Sequence, residues 1–94
     1  MAHVILQLPT PVCSILGLTA RSHEVEGATV DEALEDAYGR LPGLRVHLCD
    51  ESGALRQHVS CFLNETGTRW LTEDEQHLAD GDRITILQAV SGGT

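Results

Sequence analysis

Ninety-four residues, 41% of them hydrophobic, can bury one modest core, so the chain is expected to form a single globular domain. Fourteen carboxylates against six basic side chains give a formal charge of -8, which repels phosphate and argues against nucleic acid and anionic membranes as partners. The same charge suits a protein partner with a basic docking surface.

All six basic residues are arginine, and the chain contains no lysine. It therefore cannot accept an isopeptide bond through its own side chains; if it is ever attached to something, its C-terminus is the attaching end. Cys13, Cys49 and Cys61 are an odd number without a CxxC pair, the pattern of free thiols in a reducing compartment. The apolar run from Val4 to Leu8 is too short for a signal peptide and lacks a basic leader. No stretch approaches the length of a membrane span. Cytoplasm is the expected location.

In chain order, His3 to Leu8 alternates Val4, Leu6 and Leu8 against His3, Ile5 and Gln7, which predicts a strand. Pro9-Thr-Pro11 is expected to end it, because proline cannot donate to a ladder. Arg21 to Glu26 reads as a weaker, polar strand at an edge, closed by Gly27. Thr29 to Leu41 is the clearest element. Thr29 and Glu32 form a T-x-x-E capping box, and Val30, Leu34, Ala37, Tyr38 and Leu41 fall on one helical face. Asp31, Glu32 and Glu35 lie toward the positive end of the helix dipole and Arg40 toward the negative end. Pro42-Gly43 stops the helix.

Leu44 to Leu48 reads as a short piece of apolar alternation. His58 to Asn64 predicts a strand with Val59, Cys61 and Leu63 on one face and Ser60 and Phe62 on the other. Asn64 to Thr68 is expected as a turn, with Trp70 beside Leu71 as a candidate core anchor. Leu71 to Ala79 is polar and acidic. Arg83 to Gln88 is the last strand, with Ile84 and Ile86 facing inward. The order is strand, strand, helix, then further strands. It predicts an α+β domain in which one principal helix covers one face of a mixed sheet. If the first and last strands pair at the sheet centre, the fold is a β-grasp. The globular part is expected over 1–88, with a Gly-Gly tail over 89–94.

That tail, Ala89-Val-Ser-Gly-Gly-Thr94, carries no periodicity. Glycine has no Cβ, so Gly92-Gly93 can thread a narrow channel and leave a carboxylate open to attack from every side. On its own, such a segment is also what a frayed terminus looks like. Its position directly behind a final strand gives it weight.

The segment Arg83-Ile-Thr-Ile-Leu-Gln-Ala-Val-Ser-Gly-Gly93, preceded by Ala79-Asp-Gly-Asp82, resembles the C-terminal signature of the prokaryotic ubiquitin-like sulfur carriers. These include the small subunit of molybdopterin synthase and the carriers of thiamine and cysteine biosynthesis. Leu8-Pro-Thr-Pro11, Val25-Glu-Gly-Ala-Thr-Val30, Leu41-Pro-Gly-Leu-Arg45 and Leu55-Arg56 to Val59 with Asn64 resemble the molybdopterin-subunit and cysteine-carrier branch.

The resemblance implies a ubiquitin-like β-grasp without catalysis or bound cofactor of its own. Gly93 would carry the sulfur as a thiocarboxylate, with Gly92 threading beside it. The implied partners are a ubiquitin-activating-type adenylyltransferase that uses ATP, a sulfurtransferase or sulfide donor, and a sulfur-accepting synthase. Docking in the family uses an apolar sheet face and the tail, which makes Phe62, Leu87, Val90 and Ser91 the candidate contacts.

Thr94 departs from the family pattern, in which the carboxylate belongs to the second glycine. Three accounts compete: a short extension removed by a metalloprotease, an added residue, or a tail that is not activated. Two other readings of the whole chain stay open, a protein modifier conjugated through Gly93 and a non-activated ubiquitin-like interaction module. His47 with Cys49, and His58 with Cys61, do not make a zinc pattern, because four convergent ligands are needed, and no metal site is expected.

Overall fold

The alternation of Val4 and Leu6 with more polar neighbours produces β1 (Ala2–Gln7), and the Ile84/Ile86 alternation produces β5 (Arg83–Gln88) in the computed structural model, which describes residues 1–88. Between them lie α1 (Thr10–Leu16), β2 (Ser22–Gly27), α2 (Val30–Arg40), α3 (Leu44–Leu48), β3 (Val59–Leu63) and β4 (Thr66–Gly67). Two 3₁₀ turns, Thr68–Trp70 and Asp74–Gln76, lead back to β5.

The five strands form one mixed sheet in the order β2-β1-β5-β3-β4. The first and last strands run parallel at its centre, with Leu6 beside Ile84. β2 flanks β1 antiparallel with Val4 opposite Val25, and β3 flanks β5 antiparallel with Cys61 opposite Ile86. This is the ubiquitin-like β-grasp arrangement expected from the element order.

One face of the sheet is dry. Val4, Leu6, Val25, Cys61, Ile84 and Ile86 meet Val30, Ala33, Leu34 and Ala37 of α2 in a single buried cluster. Val12 of α1 and Leu44 and Leu48 of α3 join the same cluster. Each large aliphatic side chain placed there stabilises the fold by roughly 1.5–3 kcal/mol relative to an exposed one.

The capping box starts α2 as the sequence predicts, with one difference. Thr29 Oγ1 accepts the Glu32 N–H at 3.3 Å, while Glu32 Oε1 accepts the N–H of Ala28, one residue ahead of the cap, at 2.9 Å. β2 and α2 approach backbone to backbone at Gly27. A Cβ there would lie 2.5 Å from Ala33 N.

Four expectations are corrected. Pro9-Thr-Pro11 ends β1 but also opens α1, with Pro9 as its N-cap and Pro11 in the first turn. The amides of that turn have no intrahelical acceptor, so a missing N–H costs nothing. Leu44 to Leu48 is helical rather than extended: Leu44 and Leu48, four apart, are both buried while Val46 between them is exposed. The turn after Asn64 is tighter than expected. Asn64, at φ 56°, and Glu65 close a two-residue hairpin into the short β4. Trp70 is not a core anchor; it is 76% exposed.

Candidate functional site

β5 positions whatever follows it. It lies between β1 and β3, and its last residue, Gln88, sits opposite Val59. The ladder with β1 anchors β5 as far as Thr85, and the ladder with β3 continues to Gln88, so the starting point of the segment that follows is set by β3. Val90, Ser91, Gly92, Gly93 and Thr94 all lie outside the described residues.

Alternation on β5 and β3 sends Ile84 and Ile86 inward, so Thr85 and Leu87 face away from α2, as do Ser60 and Phe62. Leu87 is opposite Ser60 and Phe62 opposite Thr85, so Leu87 and Phe62 are diagonal neighbours, close enough for an aromatic ring to bridge. Leu87 is 46% exposed, and Phe62 is half-buried rather than fully exposed. The half-buried Ile5 of β1 shares this face. The structure thus brings Phe62 and Leu87 together beside the exit of the chain, on the side of the sheet that α2 leaves uncovered. The alternation that put Val4 and Leu6 inward was enough to place Ile5 with them.

The thiols are not presented for chemistry. Cys13, Cys49 and Cys61 are all free and buried. Burial pushes the Cys61 thiol up to about 11, so it stays protonated at neutral pH. Cys49 Sγ shares a hydrogen bond with the Tyr38 hydroxyl at 3.2 Å, and burial together with this contact raises the tyrosine. Arg45 stacks over the Tyr38 ring at 4.6 Å and pairs with Glu35. These groups fix α3 against α2. Among the described residues no three His, Cys, Asp or Glu side chains converge as a metal site. No helix among them is long and apolar enough to cross a membrane.

Sequence reasoning missed the surroundings of Trp70. The indole lies against Gly67, whose Cβ, were there one, would be 3.2 Å from Trp70 Cδ1, and Phe62 borders the same spot. The polar neighbours Thr68, Arg69 and Thr72 mark no buried strand, but the exposure of the indole itself comes from the early end of β4.

Residues 6–93 match the family described as the ThiS family. The sulfur carrier protein CysO of Mycobacterium tuberculosis is 32% identical over 75 residues, covering 78% of this chain and 81% of CysO. The ubiquitin-related modifier 1 of Encephalitozoon cuniculi is 30% identical over 73 residues, covering 74% of this chain and 76% of that protein. Among solved structures, the Amycolatopsis orientalis BexX/CysO complex contains a chain that superposes with a TM-score of 0.80 at 33% identity, covering 96% of this chain and 99% of its own.

Proposed function

This chain belongs to the ThiS family of small ubiquitin-like sulfur carriers and modifiers, and on that premise we propose that it carries sulfur as a thiocarboxylate on Gly93. The observation that carries the reading is the course of β5. The central strand of the sheet leads, within five residues, to the Gly92-Gly93 pair, so once Thr94 is gone the domain is a handle for a tail whose last two residues carry no side chains.

A carboxylate is a poor electrophile, so the chemistry has to be supplied by partners. A carboxylate oxygen of Gly93 attacks the α-phosphorus of ATP on an adenylyltransferase and displaces pyrophosphate. The resulting acyl adenylate is then attacked at its carbonyl carbon by sulfide, and AMP departs, leaving the thiocarboxylate. With a persulfide donor the first product is an acyl disulfide, which a thiol must cleave by exchange. A sulfur-accepting synthase takes the sulfur and returns the carboxylate. Phe62 and Leu87, with Val90 and Ser91, form the docking surface for these partners. Thr94 is removed first, by a metalloprotease, because any residue beyond Gly93 ties up the glycine carboxyl as an amide, and the β-branched threonine side chain adds bulk where a narrow channel has room for none.

Intact-mass spectrometry of the protein from its native cells tests this. The expected result is a chain ending at Gly93, part of it about 16 Da heavier because sulfur replaces oxygen. Thiol or methionine oxidation adds the same mass and is set aside by alkylating the thiocarboxylate. A chain that keeps Thr94 while the pathway is running would overturn the reading. In a reconstituted assay, adenylation should proceed with the chain ending at Gly93 and fail with Thr94 present; equal rates would remove the processing step.

One second reading has its own support. The likeness to a ubiquitin-related modifier favours a role in which activated Gly93 joins a lysine on another protein. A conjugate carrying a Gly-Gly remnant on a target lysine would establish it. The absence of lysine means such a modifier could not build chains on its own side chains.

A further inference from the structure

The sheet is incomplete along β3. β4 pairs only with Phe62 and Leu63, so Val59, Ser60 and Cys61 have no strand neighbour on that side among the described residues. The Asn64 N–H donates to Arg83 O at 2.7 Å, which sets the alternation: even-numbered residues of β3 bond to β5, and odd-numbered ones point the other way. The Val59 N–H is taken by Arg56 O at 2.9 Å. The Cys61 carbonyl faces the Thr68 N–H, next in register after Phe62 and Gly67, so the Val59 carbonyl and the Cys61 N–H are the groups that point toward the unpaired side.

A groove of about 530 Å³ runs along this stretch, walled by Arg56, Arg69, Trp70 and Gln76, with Asp31 at its helix side. Trp70 is the chain's one tryptophan and, among the described residues, the most exposed large hydrophobic side chain after Met1. Gly67 lets the indole approach β4 closely beside Phe62. The charge of the groove is opposite to that of the molecule. Two of the six arginines, Arg56 and Arg69, line it. Among the described residues Arg69 has no carboxylate within ion-pair distance, while Arg56 donates to the Val46 carbonyl at 3.1 Å and lies near Asp50 without pairing with it directly, whereas Arg40 and Arg45 are paired.

We propose that this groove binds an extended segment of a partner protein that alternates apolar and acidic side chains, added as a strand beside Val59–Cys61. The three parts of the site match the three parts of such a ligand. The unpaired β3 backbone supplies ladder bonds and fixes register. Trp70 with Phe62 takes an apolar side chain, and tryptophan and arginine are the residues that most often dominate such contacts. Arg56 and Arg69 receive carboxylates, and they repel a basic segment. A second copy of this chain is disfavoured as occupant, because each copy carries a charge of -8. The site lies beside the tail-bearing strand but does not require the tail to be activated.

Trp70, as the sole tryptophan, makes a private reporter. The probes are seven-residue peptides alternating Val, Leu or Phe with Glu, and a matched set carrying Lys in place of Glu. With the full chain, the Glu set should move tryptophan emission to shorter wavelength in a saturable way, and amide chemical shifts should change at Val59–Cys61. The Lys set should bind at least about tenfold more weakly. Arg56→Glu with Arg69→Glu should invert that preference while the far-ultraviolet circular dichroism stays unchanged. Trp70→Ala, followed by chemical shifts, should weaken binding of both sets. No response to the Glu set, an equal response to the Lys set, or shift changes confined to β2 or to the Leu87 face would overturn the proposal. So would a blue shift that grows with protein concentration alone, which would make the occupant a second copy.

Discussion

The two edges of this sheet are handled in opposite ways. On the β2 side, the outward N–H of Glu26 is already occupied, donating to the Asp36 carboxylate at 2.8 Å. Arg40 binds Asp36 at 2.7 Å and reaches Glu26 at 3.6 Å, and His3 lies 3.6 Å from the same glutamate. Helix α2 thus closes the Glu26 end of that edge with a charged side chain in the place a partner strand would take. On the other side, β4 stops after two residues and leaves half of β3 uncovered beside an exposed tryptophan. An unpaired edge invites association, and proteins ordinarily blunt it with charge or cover it. This domain blunts one edge and leaves the other open, so the contrast separates an edge that maintains the fold from an edge available for contact.

The same glycine-to-alanine change at each edge is the sharpest way to break that comparison. At the closed edge, Gly27→Ala places a methyl 2.5 Å from Ala33 N, against helix backbone that cannot rotate away. β2 must retreat from α2, loosening the Asp36–Glu26 bond as it goes. We expect a loss of about 2–3 kcal/mol in chemical denaturation, the largest effect of the set. An unchanged midpoint would show that the edge is not held by this contact.

Asp36→Asn comes next. The bond from the Glu26 N–H, with the Arg40 guanidinium beside it, holds the Asp36 carboxyl below its ordinary range. A depressed carboxylate contributes stability above its unfolded pKa, near 4, and loses it as pH falls through the folded value. Wild type should therefore exceed Asp36→Asn by about 1 kcal/mol at neutral pH, and the two should converge in acid. A difference that persists at low pH would mean that the carboxylate's charge is not what closes the edge.

Much of this architecture was legible in the sequence, and the misses have a common cause. Period-two alternation located β1, β3 and β5, and the Thr29–Glu32 pair located α2, because each of those patterns is local. α1 was hidden because its two prolines look like a strand stop, and only the first-turn exemption makes them compatible with a helix. α3 was hidden because Leu44, Val46 and Leu48 satisfy the strand period as well as Leu44 and Leu48 satisfy the helical one; five residues are too few to decide between them. Trp70 was misplaced because a large aromatic is usually buried, and what exposes it here is the early end of β4, a tertiary fact. Of the candidate site, Phe62 and Leu87 followed from alternation, while their diagonal contact required the register between β3 and β5.

The open edge should be open without being frayed, and Cys61 tests that. Its backbone borders the groove while its side chain is buried in the core, and burial raises its thiol to about 11. In the native protein at neutral pH, a thiol reagent such as Ellman's should find Cys13, Cys49 and Cys61 all slow, and all three should react on adding denaturant. Fast reaction of Cys61 alone would show that this half of β3 opens locally, which would make the groove a product of fraying.

The smallest effect is expected from Gly67→Ala, the open-edge counterpart of Gly27→Ala. Gly67 has φ -60°, which any residue adopts, so alanine brings no backbone strain. Its Cβ would meet Trp70 Cδ1 at 3.2 Å, but the indole is an exposed side chain with room to move. Alanine also reduces the freedom of the unfolded chain, a gain of about 0.4–1 kcal/mol where the native angles fit. We therefore expect stability to hold or to rise by about 0.5 kcal/mol, with a change in tryptophan emission as the ring is displaced. The same methyl that breaks the closed edge should leave the open one standing and only re-aim its aromatic. A loss above about 1 kcal/mol would mean that Trp70 packs as a structural cover, and the distinction between the two edges would fail.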